Sequence, residues 1–387
     1  MVKFKERLVS LDVFRGLTMA AMILVENPGN WSIYKPLRHA RWGMVGEDGL
    51  PVHENITPTD LIMPFFLFIV GVSIVFALWN KRKDKTLHKK TIGKITRRSA
   101  TLFVLGIIFY AYPSALNAIL YGGEFSVDFM GVLQRIALVY FASAIIFLKW
   151  SPKTIVWASV VTLLAYWACT FIPVPAYPEP LFFRQYFTPD NIPSSFPEWV
   201  DASILGFAHP AGIVSTFPAI VTGLIGVLTG ILLKTEKNQS RIVGQLMLAG
   251  VLLLLVGYGW SFFFPIIKDL WTSSYTLVAG GYSLIVFAFV YWLVDVKKSK
   301  FWAPPFIVYG VNCISVYFVS HIVASTLYVV KIGTGEDALS LHQWININLL
   351  ESWLSPMNAS LAFALFTVVF WFVPLWVMYK KKIFIKV

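Results

Sequence analysis

Ten stretches of this chain are apolar almost without interruption: residues 8–25, 59–79, 99–112, 131–148, 154–172, 213–233, 242–264, 275–294, 305–329 and 359–379. Polar residues gather between them, giving long blocks rather than the strict alternation of a half-buried strand. A helix needs about 20 apolar residues to cross a hydrocarbon layer, and several blocks reach that length. Backbone groups in lipid must be satisfied within their own segment, so each block is expected to be a helix. The pattern therefore predicts an all-α integral membrane protein, a bundle of about ten transmembrane helices. The third run, bounded by Arg97-Arg98 and Pro113, is the shortest and the least typical.

Composition and charge sharpen this picture. The chain is 57% hydrophobic and 13% charged, against about a quarter charged in soluble domains. That excludes a disordered chain and argues against a soluble enzyme. The net charge of +12 would suit a nucleic-acid partner until the basic residues are sorted by position. Lys3, Lys5 and Arg7 precede the first run, which sets the amino terminus in the cytoplasm. Alternating sides from there, 24 of the 32 Lys and Arg residues fall on the cytoplasmic face and six on the other, with Arg15 and Arg135 inside apolar runs. Both termini are then cytoplasmic, and no nucleic-acid partner is expected.

Residues 1–387 read as a single polytopic domain with long external loops at 26–58 and 173–212. In the second loop Tyr177, Phe182, Phe183, Tyr186, Phe187, Phe196 and Trp199 point to packed rather than loose chain. The first run holds Asp12 and Arg15 and lacks a small-residue cleavage site, so it reads as a permanent helix, not a signal peptide. Cys169 and Cys313 offer neither a disulfide framework nor a Cys-based zinc site, and no metal is expected.

Ionisable groups within membrane spans are costly and are functional candidates by default. Asp12 and Arg15 lie three residues apart on one helix face, as a structural ion pair or as part of an anion site. Arg135, with Gln134 beside it, is either a snorkelling cation or a buried one facing a phosphate, a pantetheine carbonyl or a sugar. His39 sits among Arg38, Arg41 and Trp42 ahead of Asp60, which opens the second span. Asp60 is either a helix-end carboxylate favoured by the macrodipole, with Thr57 or Thr59 as the cap, or the partner that orients and charges His39. Spacing alone favours the first. Thr216, Thr222 and Thr229 with Gly223, Gly226 and Gly230 read as a close-packing helix face. Asn312 and His321 each need a partner in an apolar surround.

Three motifs add a resemblance: Leu11-Asp12-Val13-Phe14-Arg15-Gly16, His39-Ala40-Arg41-Trp42, and Asp60-Leu61-Ile62-Met63-Pro64-Phe65-Phe66. With Gly131-Val132-Leu133-Gln134-Arg135, Trp271-Thr272-Ser273-Ser274-Tyr275 and Asn312, the chain resembles the transmembrane acetyltransferase family typified by heparan-α-glucosaminide N-acetyltransferase and its bacterial relatives. The resemblance implies a helical bundle that takes acetyl-CoA as co-substrate and acetylates the amine of a terminal glucosamine on the outer side. It places the catalytic residues at His39, Asp60 and Asn27, and the acetyl-CoA contacts at Arg15, Gln134, Arg135, Ser273, Ser274 and Asn312.

Expected partners are acetyl-CoA, an amino-sugar acceptor and membrane lipids, with a homodimer as the assembly and the bacterial inner membrane as the location. The chain departs from the family pattern in three places, one of them Asp128-Phe129-Met130 ahead of Gly131, which lacks the basic residue often seen there. Twenty residues separate His39 from Asp60, and His209-Pro210-Ala211-Gly212 stands where relatives carry Asp-Pro-Glu-Gly. Two other readings are a transporter of a sugar or cell-wall fragment and an O-acyltransferase acting on a lipid-linked sugar.

Overall fold

The computed structural model describes residues 8–45, 51–84, 86, 88–175, 195–206, 211–333, 335 and 338–385. All ten apolar runs are helical. They correspond to α1 (Val9–Glu26), α2 (Ile62–Lys83), α3 (His88–Tyr121), α4 (Val132–Lys149) and α5 (Pro152–Cys169) in the first half. After the short α6 (Phe196–Leu205) come α7 (Thr216–Thr235), α8 (Gln239–Trp260), α9 (Ser273–Tyr291), α10 (Ala303–Val311), α11 (Cys313–Val329), α12 (Leu341–Ile345) and α13 (Pro356–Lys380).

Eight helices among the described residues are long and apolar enough to cross a membrane, or nine if α10 and α11 count as one span. This bears out the expectation of a bundle of about ten, and two places account for the difference in number. Helix α1 carries Asp12, Arg15 and Glu26 within its 18 residues, which lowers its apolarity. The run 305–329 is two helices bent by 78°, because Asn312 between them leaves helical geometry at φ −119°, ψ 35°.

The third run also differs from its reading. Helix α3 has 34 residues and continues through Pro113, reaching about 50 Å at 1.5 Å per residue. Few strands occur among the described residues. Trp42–Val45 (β1) pairs antiparallel with Pro51–His53 (β2), and Lys331–Ile332 (β3) pairs with Leu339–Ser340 (β4). Within the loop 173–212, Phe196 and Trp199 of α6 stack at 5.9 Å. The loop's other five aromatic residues, the Gly46–Gly49 stretch, His209-Pro210 and the first seven residues lie outside the described chain.

The chain forms two compact units. One comprises Met1–Arg38, Ile107–Asp128 and Val290–Val387; the other comprises His39–Gly106 and Phe129–Phe289. In the second, α2 and α7 approach closely through glycine. A Cβ on Gly71 would collide with the carbonyl oxygen of Gly223, and one on Gly226 with that of Phe68. The small residues of α7 thus serve packing. Around this contact lie Leu67, Val139, Ala219, Trp271, Tyr275 and Val278, all buried.

In the first unit, α1 crosses α10 with Gly16 against the backbone of Phe306. His321 stacks on Phe109 at 3.5 Å, with Nε2 3.0 Å from the Phe109 carbonyl oxygen. The half-buried imidazole on which the sequence had demanded a partner has one.

Candidate active site

The second unit opens with His39, and its most polar buried residue near that point is Asp60. A short 3-10 turn, Pro58–Leu61, leads into α2. Its sequence explains it: Pro58 at the first position has no N–H to satisfy, and Thr57 supplies the cap. Thr57 donates to Asp60 Oδ2 through its backbone N (2.9 Å) and its Oγ1 (3.0 Å), the reciprocal arrangement of a capping box. The helix-end reading of Asp60 is therefore realised.

The His39 contact is present as well. His39 Nδ1 lies 2.7 Å from Asp60 Oδ1, and Ala40 N donates to Oδ2 at 3.2 Å. The two accounts of Asp60 are not alternatives, because its two oxygens divide the work: Oδ2 anchors the turn and the chain beside His39, and Oδ1 faces the imidazole.

Burial gives this pair its asymmetry. The Asp60 side chain is 1% exposed and that of His39 is 54% exposed. A buried carboxylate that accepts three protein donors is acceptor-only, so Nδ1 carries the proton it shares with Oδ1. The other nitrogen, Nε2, is then the unprotonated one, on a side chain that is half-exposed. Behind the carboxylate, Tyr275 Oη donates to the Asp60 backbone carbonyl at 2.6 Å. Tyr275 is fully buried and edge-on to Trp271 at 5.2 Å. It was part of a sequence motif but had no assigned role, since nothing in the spacing links residues 60 and 275.

Arg135 is fully buried in the same unit, not snorkelling. Its Nη2 donates to the Gly212 carbonyl (3.2 Å) and to Ser215 Oγ, and its guanidinium lies 4.9 Å from the centre of the Trp271 ring. Nε and Nη1 have no hydrogen-bond partner. Trp271 itself holds φ +53°, a left-handed conformation that costs an ordinary side chain about 1–2 kcal/mol. Its Nε1 donates to Thr222 Oγ1 at 3.3 Å. A strained aromatic stacked on a half-satisfied buried cation is an arrangement that packing alone does not require.

Gln134 does not join Arg135. Neighbouring helical residues point about 100° apart, and Gln134, buried with both amide atoms unpartnered, faces Gly106 instead.

The other candidates are engaged in the chain's own bonding. Ser273 Oγ donates to the Leu163 carbonyl (2.7 Å) and Ser274 Oγ to that of Pro265 (2.9 Å). Thr272 Oγ1 also donates to Pro265 (2.7 Å) and accepts from Ile267 N (3.1 Å). Thr272 and Ser274 tie the loop before α9 to that helix's first turn, and Ser273 ties the same turn to α5. Asn27, Arg15 and Asn312 belong to the first unit. Asn27 Nδ2 donates to the Ile23 carbonyl (2.8 Å), capping the end of α1. Arg15 Nη1 and Asp12 Oδ1 form the expected i, i+3 pair at 3.2 Å. Asn312 binds the carboxy-terminal segment.

Among the described residues no group of three or more His, Cys, Asp and Glu side chains is placed to hold a metal ion.

With this geometry in hand, two curated proteins align across almost the whole chain. Heparan-alpha-glucosaminide N-acetyltransferase of Mus musculus is 26% identical over 438 residues, and that of Homo sapiens is 26% identical over 436. Each alignment covers 98% of this chain. The chain is homologous to heparan-alpha-glucosaminide N-acetyltransferase. It spans 60% of the length of each of these relatives. A family model described as a domain of unknown function, DUF5009, matches residues 7–120. That segment contains both His39 and Asp60.

Proposed function

We propose that this chain is a multi-pass membrane acetyltransferase that moves an acetyl group from acetyl-CoA to the amine of a glucosamine-type sugar at the external face. The observation that carries this reading is the 2.7 Å contact between the half-exposed His39 and the buried Asp60. The homology to N-acetyltransferases supports the reaction class, and the apolar helices support the membrane setting.

His39 acts through Nε2. In the direct route it takes a proton from the acceptor ammonium, and the freed amine attacks the thioester carbonyl. The C–S bond breaks, the imidazolium returns its proton to the departing CoA thiolate, and the nitrogen's second proton passes through the imidazole to water as the amide forms. In the two-step route Nε2 attacks the carbonyl itself, CoA leaves, and the amine then displaces imidazole from acetyl-histidine. Asp60 serves both routes: its carboxylate holds the proton on Nδ1 and stabilises the positive ring. Arg135 and Trp271 form a second polar centre in the same unit, where the guanidinium's free N–H groups are suited to a carbonyl or phosphate oxygen.

Replacing His39 by Ala is expected to abolish transfer of labelled acetyl from acetyl-CoA to glucosamine. Transfer at the wild-type rate would refute the assignment. The 78° break between α10 and α11 favours one second reading, a transporter, since broken helices line many substrate paths. Sugar uptake into vesicles lacking acetyl-CoA separates the two.

A further inference from the structure

Within the first unit, the loop that leads toward His39 is fastened to the start of α13 and the segment before it, and two tryptophans flank the fastening. Gly29 N donates to the Ser360 carbonyl at 3.3 Å, and a Cβ on Gly29 would strike Asn346 Oδ1. Asn30 Nδ2 donates to Glu351 Oε1 at 2.6 Å and to the Pro356 carbonyl at 2.9 Å. The buried Asn346 donates to the same Glu351 oxygen at 2.5 Å. Glu351 is half-buried, and its Oε2 accepts from no donor among the described residues. Trp31 follows Asn30, and Trp353 lies between Glu351 and Pro356, so both stand beside this carboxylate. Trp31 is 88% exposed and Trp353 is 70% exposed. Trp353 Nε1 donates to the Leu349 carbonyl at 2.6 Å. A tryptophan serving only as an interfacial anchor turns its N–H toward water and headgroups. This one is held by its own turn and offers its face instead.

Indole faces attract cations and apolar ring surfaces, and an open carboxylate oxygen pairs with an ammonium. An amino sugar with a free amine offers all of these: an ammonium, and the apolar C–H face of its ring. We propose that Trp31, Trp353 and Glu351 form an accessory subsite for a second, unacetylated amino-sugar unit, so that the preferred acceptor is a cationic oligomer rather than a single sugar. The nature of the acceptor rests on the acetyltransferase reading above; the subsite adds which residues hold the rest of the acceptor, and by what charge. Lys35 and Arg38 of the same loop would draw an anion, but both already have partners in the chain. Glu351 therefore sets the sign of the ligand. Trp31 lies eight residues ahead of His39 in the sequence, so a glycan held here rests on the segment that leads to the imidazole.

The test compares glucosamine with its β-1,4-linked trimer on the full chain. Calorimetry without acetyl-CoA reads the subsite itself, and the trimer is expected to bind about tenfold more tightly than glucosamine. Glu351→Gln keeps the oxygen to which Asn30 and Asn346 donate and removes the charge. Trp31→Ala removes a ring that packs on little of the chain, so neither variant threatens the fold. Each is expected to weaken trimer binding about tenfold. Labelled acetyl transfer then reads the preference: kcat/KM for the trimer over that for glucosamine should be about ten in the wild type and near one in both variants. Equal binding of trimer and glucosamine, trimer binding that survives both substitutions, or tighter binding of an N-sulfated trimer overturns the subsite. Transfer to both acceptors without preference overturns its part in acceptor choice and leaves the acetyltransferase reading intact. Binding as expected with neither acceptor acetylated upholds the glycan site and overturns that reading.

Discussion

Two histidines, His39 and His342, show what separates a reactive imidazole from a packed one. Each has one ring nitrogen held by an oxygen. For His39 the partner is a buried carboxylate, 2.7 Å away, and the side chain is 54% exposed. For His342 the partner is the Pro28 carbonyl at 3.0 Å, and the ring is 3% exposed. Tyr328 stacks on it at 4.1 Å and Phe363 meets it edge-on at 4.7 Å. A carboxylate stabilises the charged ring and directs the far nitrogen's lone pair to chemistry. A carbonyl within an aromatic sandwich fixes a neutral ring and gives it nothing to react with. Residue type does not decide between these fates; the partner's charge and the ring's exposure do.

That contrast can be broken from either side. The largest expected effect is at His39, where Ala should lower acetyl transfer by at least about a thousandfold, in the range of a lost general base or nucleophile. The thermal midpoint should fall by only a few degrees, since the ring itself is half-exposed and the cost is that of leaving Asp60 Oδ1 without its imidazole. A large loss of stability with transfer retained would reverse the comparison. Asp60→Asn should come next, with transfer lowered about a hundredfold and substrate KM little changed, since the ring loses charge support rather than contact. This variant should also weaken the 3-10 turn by about 1 kcal/mol through the lost cap.

His342→Ala is expected to do the opposite. It should destabilise by about 2 kcal/mol as a stacked ring is removed, with kcat per folded molecule unaltered. The smallest effect is on pH. Burial pushes the His342 pKa below the usual histidine value of 6.5, outweighing the Pro28 carbonyl that raises it. Its unfolded form takes up a proton first, so its contribution to stability is intact above about pH 6.5 and is lost as pH falls toward the folded value. The difference in thermal midpoint between wild type and His342→Gln should therefore narrow from pH 7 to pH 5. A constant or widening gap would show that the ring is not held neutral.

How far these sites were legible in the sequence depended on how locally each was encoded. Asp60 as a helix-end carboxylate needed only Thr57 and Pro58 beside it, and that reading stands. The i, i+3 pairing of Asp12 with Arg15 stands for the same reason. The glycines of α7 announced close packing through their spacing, and Gly226 does meet the backbone at Phe68. In contrast, Ser273 and Ser274 looked available as donors because their acceptors, the carbonyls of Leu163 and Pro265, lie far away or behind a turn. Gln134 and Arg135 were both expected to face acetyl-CoA, whereas a helix sends adjacent side chains to different neighbours.

The sequence by itself determined the apolar blocks, their helical state, the sorting of basic residues and the residue types from which a site is made. Each of these depends on the transfer of side chains out of water or on bonds within one turn, and both are local. Tertiary structure alone decided that His39 meets Asp60 across 21 positions, that Tyr275 supports Asp60, that Arg135 turns to Ser215 and Trp271, and that the ninth apolar run breaks at Asn312 around the chain's own tail. Those outcomes depend on how helices pack, and a buried polar group takes whichever partner packing brings within 3 Å.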